Sequence, residues 1–203
     1  MSPQLDKRKI GRDEGYHQGK VHLLLRDFWR QTLISIDDVI KAVEAIPNAH
    51  LEGLREIHYD PGRDAQLFRA YFQTQAVNRS HRAEFAQDRR KIYIYDFESR
   101  EQFYKILYHE IGHYVFHTVI GAKKKKAWVT SVYPGSTHVT AYAATNASED
   151  FAESYAFYVL YPGKLQSIAD KYNFMRDKVF SGYKLERKHR FLDESCLLYT
   201  SPS

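Results

Sequence analysis

The chain has 203 residues, 43% of them hydrophobic, and a formal net charge of +5. That is enough for one domain with a real core and polar ends, and the mild positive balance permits nucleic-acid contact without arguing for it. No apolar run is long enough to span a bilayer, and the single cysteine, Cys196, excludes an intrachain disulfide.

In chain order, residues 1–20 are polar and charged, without the apolar stretch of a signal peptide. They read as a disordered tail, and a cytoplasmic location is expected, with export by another route left open. Residues 21–33 hold Leu23, Leu24, Leu25, Phe28 and Trp29 and read as a short helix packed on the domain. Residues 36–46 read as a helix capped by Asp37, with Val39, Ile40, Val43 and Ile46 as its apolar stripe. Residues 54–59 alternate and end at Asp60-Pro61-Gly62, a strand closed by a turn. Residues 67–77 read as a second strand, 78–88 as a polar loop, and 91–95 as a clear strand. Ser99 and Gln102 then form a capping-box pattern that opens a helix over 100–120.

The four lysines 123–126 read as a solvated turn, with phosphate binding as the alternative. Residues 127–142 look irregular, with a turn at Pro134-Gly135. A helix over 146–161 starts at Asn146 and stops before Pro162-Gly163, and helical stretches follow to about residue 180. The expected domain spans 21–185. Residues 186–203 are a tail whose end, 196–203, resembles translated sequencing-adapter sequence as much as a flexible terminus.

The chemistry concentrates in Tyr108-His109-Glu110-Ile111-Gly112-His113-Tyr114, an H-E-x-x-H motif. On a helix, His109 and His113 share a face one turn apart and can offer two imidazoles to one metal ion. Glu110, about 100° further round, is placed to hold a water on that metal as a general base. The motif also arises by chance, so it needs a helix and a third ligand. Helical periodicity supplies the first: Phe103, Leu107, Ile111 and Tyr114 fall opposite the histidines.

For the third ligand, His117 lies one turn beyond a pair that already spans the metal, so it is expected in a supporting role. The metzincin extension asks for Gly and His where Phe116 and Val119 stand, and is rejected. Glu149 and Glu153, four apart on the later helix, are the rivals. Their spacing suits one carboxylate on the metal and one orienting a ligand histidine. Glu149 is the first choice, its plain alternative being a capping partner of Asn146.

The two motifs, H-E-I-G-H and Tyr142-Ala-Ala-Thr-Asn-Ala-Ser-Glu149-Asp-Phe-Ala-Glu153, resemble the gluzincin-like metallopeptidases of the anthrax lethal-factor catalytic domain and the Pro-Pro endopeptidases. The likeness covers roughly residues 91–160. It implies an α+β zincin-like fold, a small twisted sheet over the H-E-x-x-H helix, with a second helix giving the Glu ligand. It also implies zinc (Zn2+) on His109, His113 and Glu149, Glu110 as base, Tyr142 on the oxyanion and Glu153 behind a ligand. The implied activity is hydrolysis of peptide bonds in a peptide or protein substrate by a zinc-bound water that Glu110 activates. The alternatives are a catalytically inactive zincin-fold binding module in a phage or toxin assembly, and a nucleic-acid-binding protein using the lysine run. No membrane partner is expected.

Overall fold

The computed structural model describes residues 13–62, 82–183 and 185. The expected strand at 67–77 and the tail from 186 lie outside them. Among the described residues the class is mixed α and β, with one five-stranded sheet in the order β1-β2-β3-β5-β4. These are β1 (Glu14–Gln18), β2 (Val21–Arg26), β3 (Glu56–Tyr59), β4 (Ala83–Ala86) and β5 (Lys91–Ile94). The β2–β3 and β3–β5 pairs are parallel, whereas β1 and β4 run antiparallel to their neighbours at the two edges. No helix among these residues is long and apolar enough to cross a membrane.

The first hairpin corrects two expectations. Val21, Leu23 and Leu25 are buried while His22 and Leu24 are exposed, a period of two that makes residues 21–26 a strand and not a helix. Residues 14–18, expected within a disordered tail, form its partner, with Gln18 opposite Val21 across a turn where Gly19 takes φ 59°. At the other edge, the expected loop at 78–88 contains β4. Ala and Glu are weak strand formers, so Ala83-Glu84-Phe85-Ala86 gives little signal, and pairing with β5 decides its conformation.

Helix α1 (Ile36–Glu44) is capped by Ser35, two residues before the expected Asp37, through a complete capping box with Asp38. Helix α2 (Arg100–Tyr114) carries the H-E-x-x-H motif. Ser99 caps it, but the Gln102 side chain accepts from the Glu98 N–H instead of closing the box. Arg100 pairs with both oxygens of Asp38, and the Tyr108 hydroxyl donates to the Ala42 carbonyl at 2.9 Å, which ties α2 to α1. Phe103, Leu107, Ile111 and Tyr114 are buried against the core. Beyond Tyr114 the helix widens into a π-turn over Val115–Val119, so the expected regular helix to residue 120 stops short.

The lysine run is helical, not a turn. It lies in α3 (Gly121–Ala127), which starts at Gly121 with φ 70°, and lysine is a good helix former. Trp128–Val132 continues as a second π-turn, where irregular chain was expected, because the buried Trp128 packs on Phe151 and donates to the Ala147 carbonyl. Helix α4 (Ala147–Leu160) is capped by the Asn146 side chain, which accepts from Ser148 and Glu149 N–H. Short helices α5 (Pro162–Gln166) and α6 (Ala169–Phe174) follow, and a further π-turn runs over Met175–Val179.

Helices α2 and α4 meet at Gly112. A Cβ added there would lie 2.8 Å from Ala152 Cα and 3.1 Å from both Ala152 O and Tyr155 Cβ. Gly112→Ala gains about 1 kcal/mol of helix propensity. Overpacking against backbone is expected to outweigh it, for a net loss of about 1–2 kcal/mol and a melting temperature several degrees lower. Thermal unfolding checks this, and an unchanged or raised Tm would contradict the close contact.

A buried histidine adds a pH dependence. His50 receives the Tyr155 hydroxyl at Nδ1, 2.9 Å away, and donates from Nε2 to the Val179 carbonyl at 3.1 Å. Burial pushes its imidazole down to about 4, against the opposing pull of the Val179 carbonyl. The folded pKa lies below the unfolded value near 6.5, so the contribution is complete above that pH. As the pH falls from 6.5 towards 4 the unfolded chain takes up the proton first, and stability is expected to drop by up to about 3 kcal/mol. Urea unfolding at both ends of that window checks it; His50→Gln should flatten the slope, and an unchanged slope would show that other groups cause it.

Candidate metal centre

The centre forms where the His-bearing face of α2 meets the first turn of α4. His109 Nε2 and His113 Nε2 stand 3.1 Å apart, as one helical turn dictates. Glu149 Oε2 lies 3.2 Å from the first and 3.1 Å from the second. The Asn146 cap holds the Glu149 backbone, and this leaves its carboxylate free to point across at the histidines instead of back at its own helix end.

The outward ring nitrogens are held as well. His109 Nδ1 is 2.9 Å from Glu153 Oε1, and His113 Nδ1 is 3.1 Å from Ser148 Oγ. A neutral His109 that donates its Nδ1 proton to Glu153 turns a lone pair inward at Nε2. Three acceptor atoms then converge, a set that calls for a cation. For zinc, tetrahedral ligands at about 2.0–2.1 Å have edges of about 3.3–3.4 Å, and the three separations fall about 0.2 Å short of that. The donor set therefore fits a metal ion, and His109, His113 and Glu149 are the group that could hold one.

Charges agree with this arrangement. Burial pushes the His109 imidazole down, but the bonds to Glu149 and Glu153 and the Glu110 charge outweigh it and raise it to about 10. Burial pushes Glu149 up, while its His109 and His113 partners hold it well below the usual carboxylate range. Glu153 likewise is raised by burial yet held low by the His109 bond and the Lys105 charge. Carboxylates crowded around a histidine favour positive charge there, the kind of charge that a cation would supply.

Glu110 is buried beside the centre, and its pKa is raised by that burial, with partial relief from His109, His113 and the Phe85 N–H of β4. The Tyr142 ring centroid lies 5.9 Å from that of His109. Burial and then the Glu149 charge push its phenol up to about 12, so it stays a donor. Both residues line an open cleft of about 220 Å³ together with His109, Glu153, Arg82, Gln102 and Lys105.

Six expected site residues thus stand together: His109, Glu110, His113, Tyr142, Glu149 and Glu153. Two other histidines lie outside the metal-binding set, although His117 shares Ser148 with His113 and its ring stacks on that of His113. His117 binds Ser148 Oγ at 3.0 Å, and His138 binds Asp150 Oδ1 at 2.9 Å. Sequence reasoning missed Ser148 and Thr140. Thr140 Oγ1 donates to Glu153 Oε2 at 2.8 Å and accepts from the Ala143 N–H, fastening the Tyr142 segment to the carboxylate behind His109. Ser148 had a signal, lying in the first turn of α4 on the Glu149 side, whereas Thr140 had none. Comparison with protein-family models, curated proteins and solved structures gives no match.

A zinc titration by competition with a chromophoric chelator separates the two glutamates. Glu149→Ala is expected to lose metal binding almost entirely, and Glu153→Ala to weaken it about 10–100-fold. Retention of wild-type affinity by Glu149→Ala would place the site elsewhere.

Proposed function

We propose that this protein is a zinc-dependent metallopeptidase with a zincin-like core. One observation carries the reading: Glu110 and Tyr142 line the same cleft as His109, one corner of the His109, His113 and Glu149 triangle, so a base and a hydrogen-bond donor stand beside a metal-binding set. The arrangement of a small sheet, α2 beneath its β4 edge and α4 bringing the glutamate supports the resemblance drawn from the two motifs.

Zinc bound to His109, His113 and Glu149 would supply a Lewis acid, making water acidic and polarising a peptide carbonyl. Glu110 accepts the proton of the attacking water and returns it to the leaving nitrogen. Its burial raises its basicity, and the Phe85 N–H keeps its carboxylate in place. The Tyr142 hydroxyl donates to the carbonyl oxygen as negative charge develops there, a bond stronger in the transition state than in the ground state. Glu153 and Ser148 hold the His109 and His113 rings by their far nitrogens. Strand β4 is an edge strand, and no other described strand pairs with its outer side. An extended peptide can add there as a further strand.

Metal analysis with cleavage of a random peptide library, with and without chelator, tests the reading. Glu110→Gln is expected to keep its zinc and lose about 10²–10⁴-fold in hydrolysis, the range for a general base. Tyr142→Phe should keep zinc and KM while kcat falls about 10²-fold. Wild-type turnover in either variant would remove that residue from the mechanism, and a zinc-free or inactive native protein would sink the reading itself.

A further inference from the structure

The cleft is not electrically uniform. Beside the metal-binding set its wall is built by Arg82, immediately before β4, and by Gln102 and Lys105, on the first half of α2. Gln102 and Lys105 are three apart, so they are neighbours on the helix surface, and Lys105 is one turn before His109 on the same face.

These three side chains are unequally occupied. Arg82 is neutralised by Glu98 at 2.7 Å and Asp96 at 3.4 Å. It also donates to Gln102 Oε1 at 3.0 Å, and the Glu98 N–H donates to the same oxygen at 2.6 Å. Two donors on one oxygen fix the amide's orientation and leave Gln102 Nε2 without a partner among the described residues. Lys105 is 40% exposed, and its nearest carboxylate oxygen, Glu153 Oε2, is 3.7 Å away, well beyond a charge-assisted hydrogen bond. Glu153 is already engaged, accepting from His109 and from Thr140. Lys105 otherwise rests over the Phe157 ring at 5.7 Å.

We propose that Lys105 and Gln102 form a subsite for a carboxylate of the substrate, and that the protein favours peptides carrying an acidic group close to the reacting bond. An ammonium and an amide N–H₂ on adjacent helix positions can serve the two oxygens of one carboxylate, with Arg82 fixing the amide from behind. The carboxylate can come from an Asp or Glu side chain or from the free end of a peptide. This inference rests on the peptidase reading only for its position beside a scissile bond. Lys105 and Gln102 are specificity-determining residues here, with no part in the proton transfers.

Binding is measured on the full-length Glu110→Gln variant with zinc added, so that no probe is consumed. The probes are fluorescein-labelled alanine pentapeptides. One has a free carboxyl end, one is amidated, and amidated ones carry Glu or Gln at each position in turn. Fluorescence anisotropy is expected to show the free-acid peptide, or one Glu position, binding on the order of tenfold tighter than its amide counterpart. Which arm responds identifies the source of the carboxylate. Lys105→Met should abolish that preference while leaving amide peptides unaffected, and Lys105→Arg should restore it. Equal binding of acid and amide probes overturns the subsite. So does a Lys105→Met variant that weakens both equally, since that reports a structural role through Glu153. Hydrolysis by the wild-type protein is scored separately. Acid-selective binding without cleavage would sink the peptidase reading alone, and cleavage without acid preference would sink the subsite alone.

Discussion

Everything at the centre depends on how closely two helices approach. Gly112 lies between His109 and His113 in sequence and faces Ala152, between Glu149 and Glu153. A residue without a side chain on α2 and a methyl on α4 let the two backbones come within van der Waals reach. The short side chains of Ser148 and Glu149 can then touch imidazoles of the opposite helix. A larger residue at either contact would push the helices apart and lengthen these hydrogen bonds.

The centre also shows how a fold carries unlike charges in a confined space. Glu110, Glu149 and Glu153 surround two imidazoles, and each carboxylate has a different set of partners. Glu149 is held by both histidines, Glu153 by His109 and Thr140, and Glu110 by burial and one backbone N–H. The pKa directions diverge accordingly, down for two and up for one. A carboxylate raised by burial next to one held low by paired imidazoles is the pattern of groups given different tasks by their surroundings.

Much of this was legible in the chain because it depends on local spacing. The i, i+4 histidines, the Asn146 cap and the two glutamates one turn apart are helix properties, and helices report themselves through period and caps. What depended on distant pairing was not legible. Strand β4 has a poor strand composition and exists because β5 lies beside it. Residues 21–26 were misread because three consecutive leucines mask an alternation that only burial reveals. Thr140 acts through the path of the segment between α3 and α4, and the lysines of α3 looked like a turn because their charge drew more weight than their helix propensity.

The β4 edge has a consequence for the protein's relations with itself. Among the described residues no other strand pairs with the outer side of β4, and such an edge can offer its backbone to another copy of the chain as well as to an extended peptide. Here the edge is only four residues long, with Arg82 immediately before it and Arg89 and Arg90 shortly after it. Two copies paired along so short an edge would share few ladder hydrogen bonds. Brevity of this kind is one of the ways in which a sheet edge limits association between copies of the same chain.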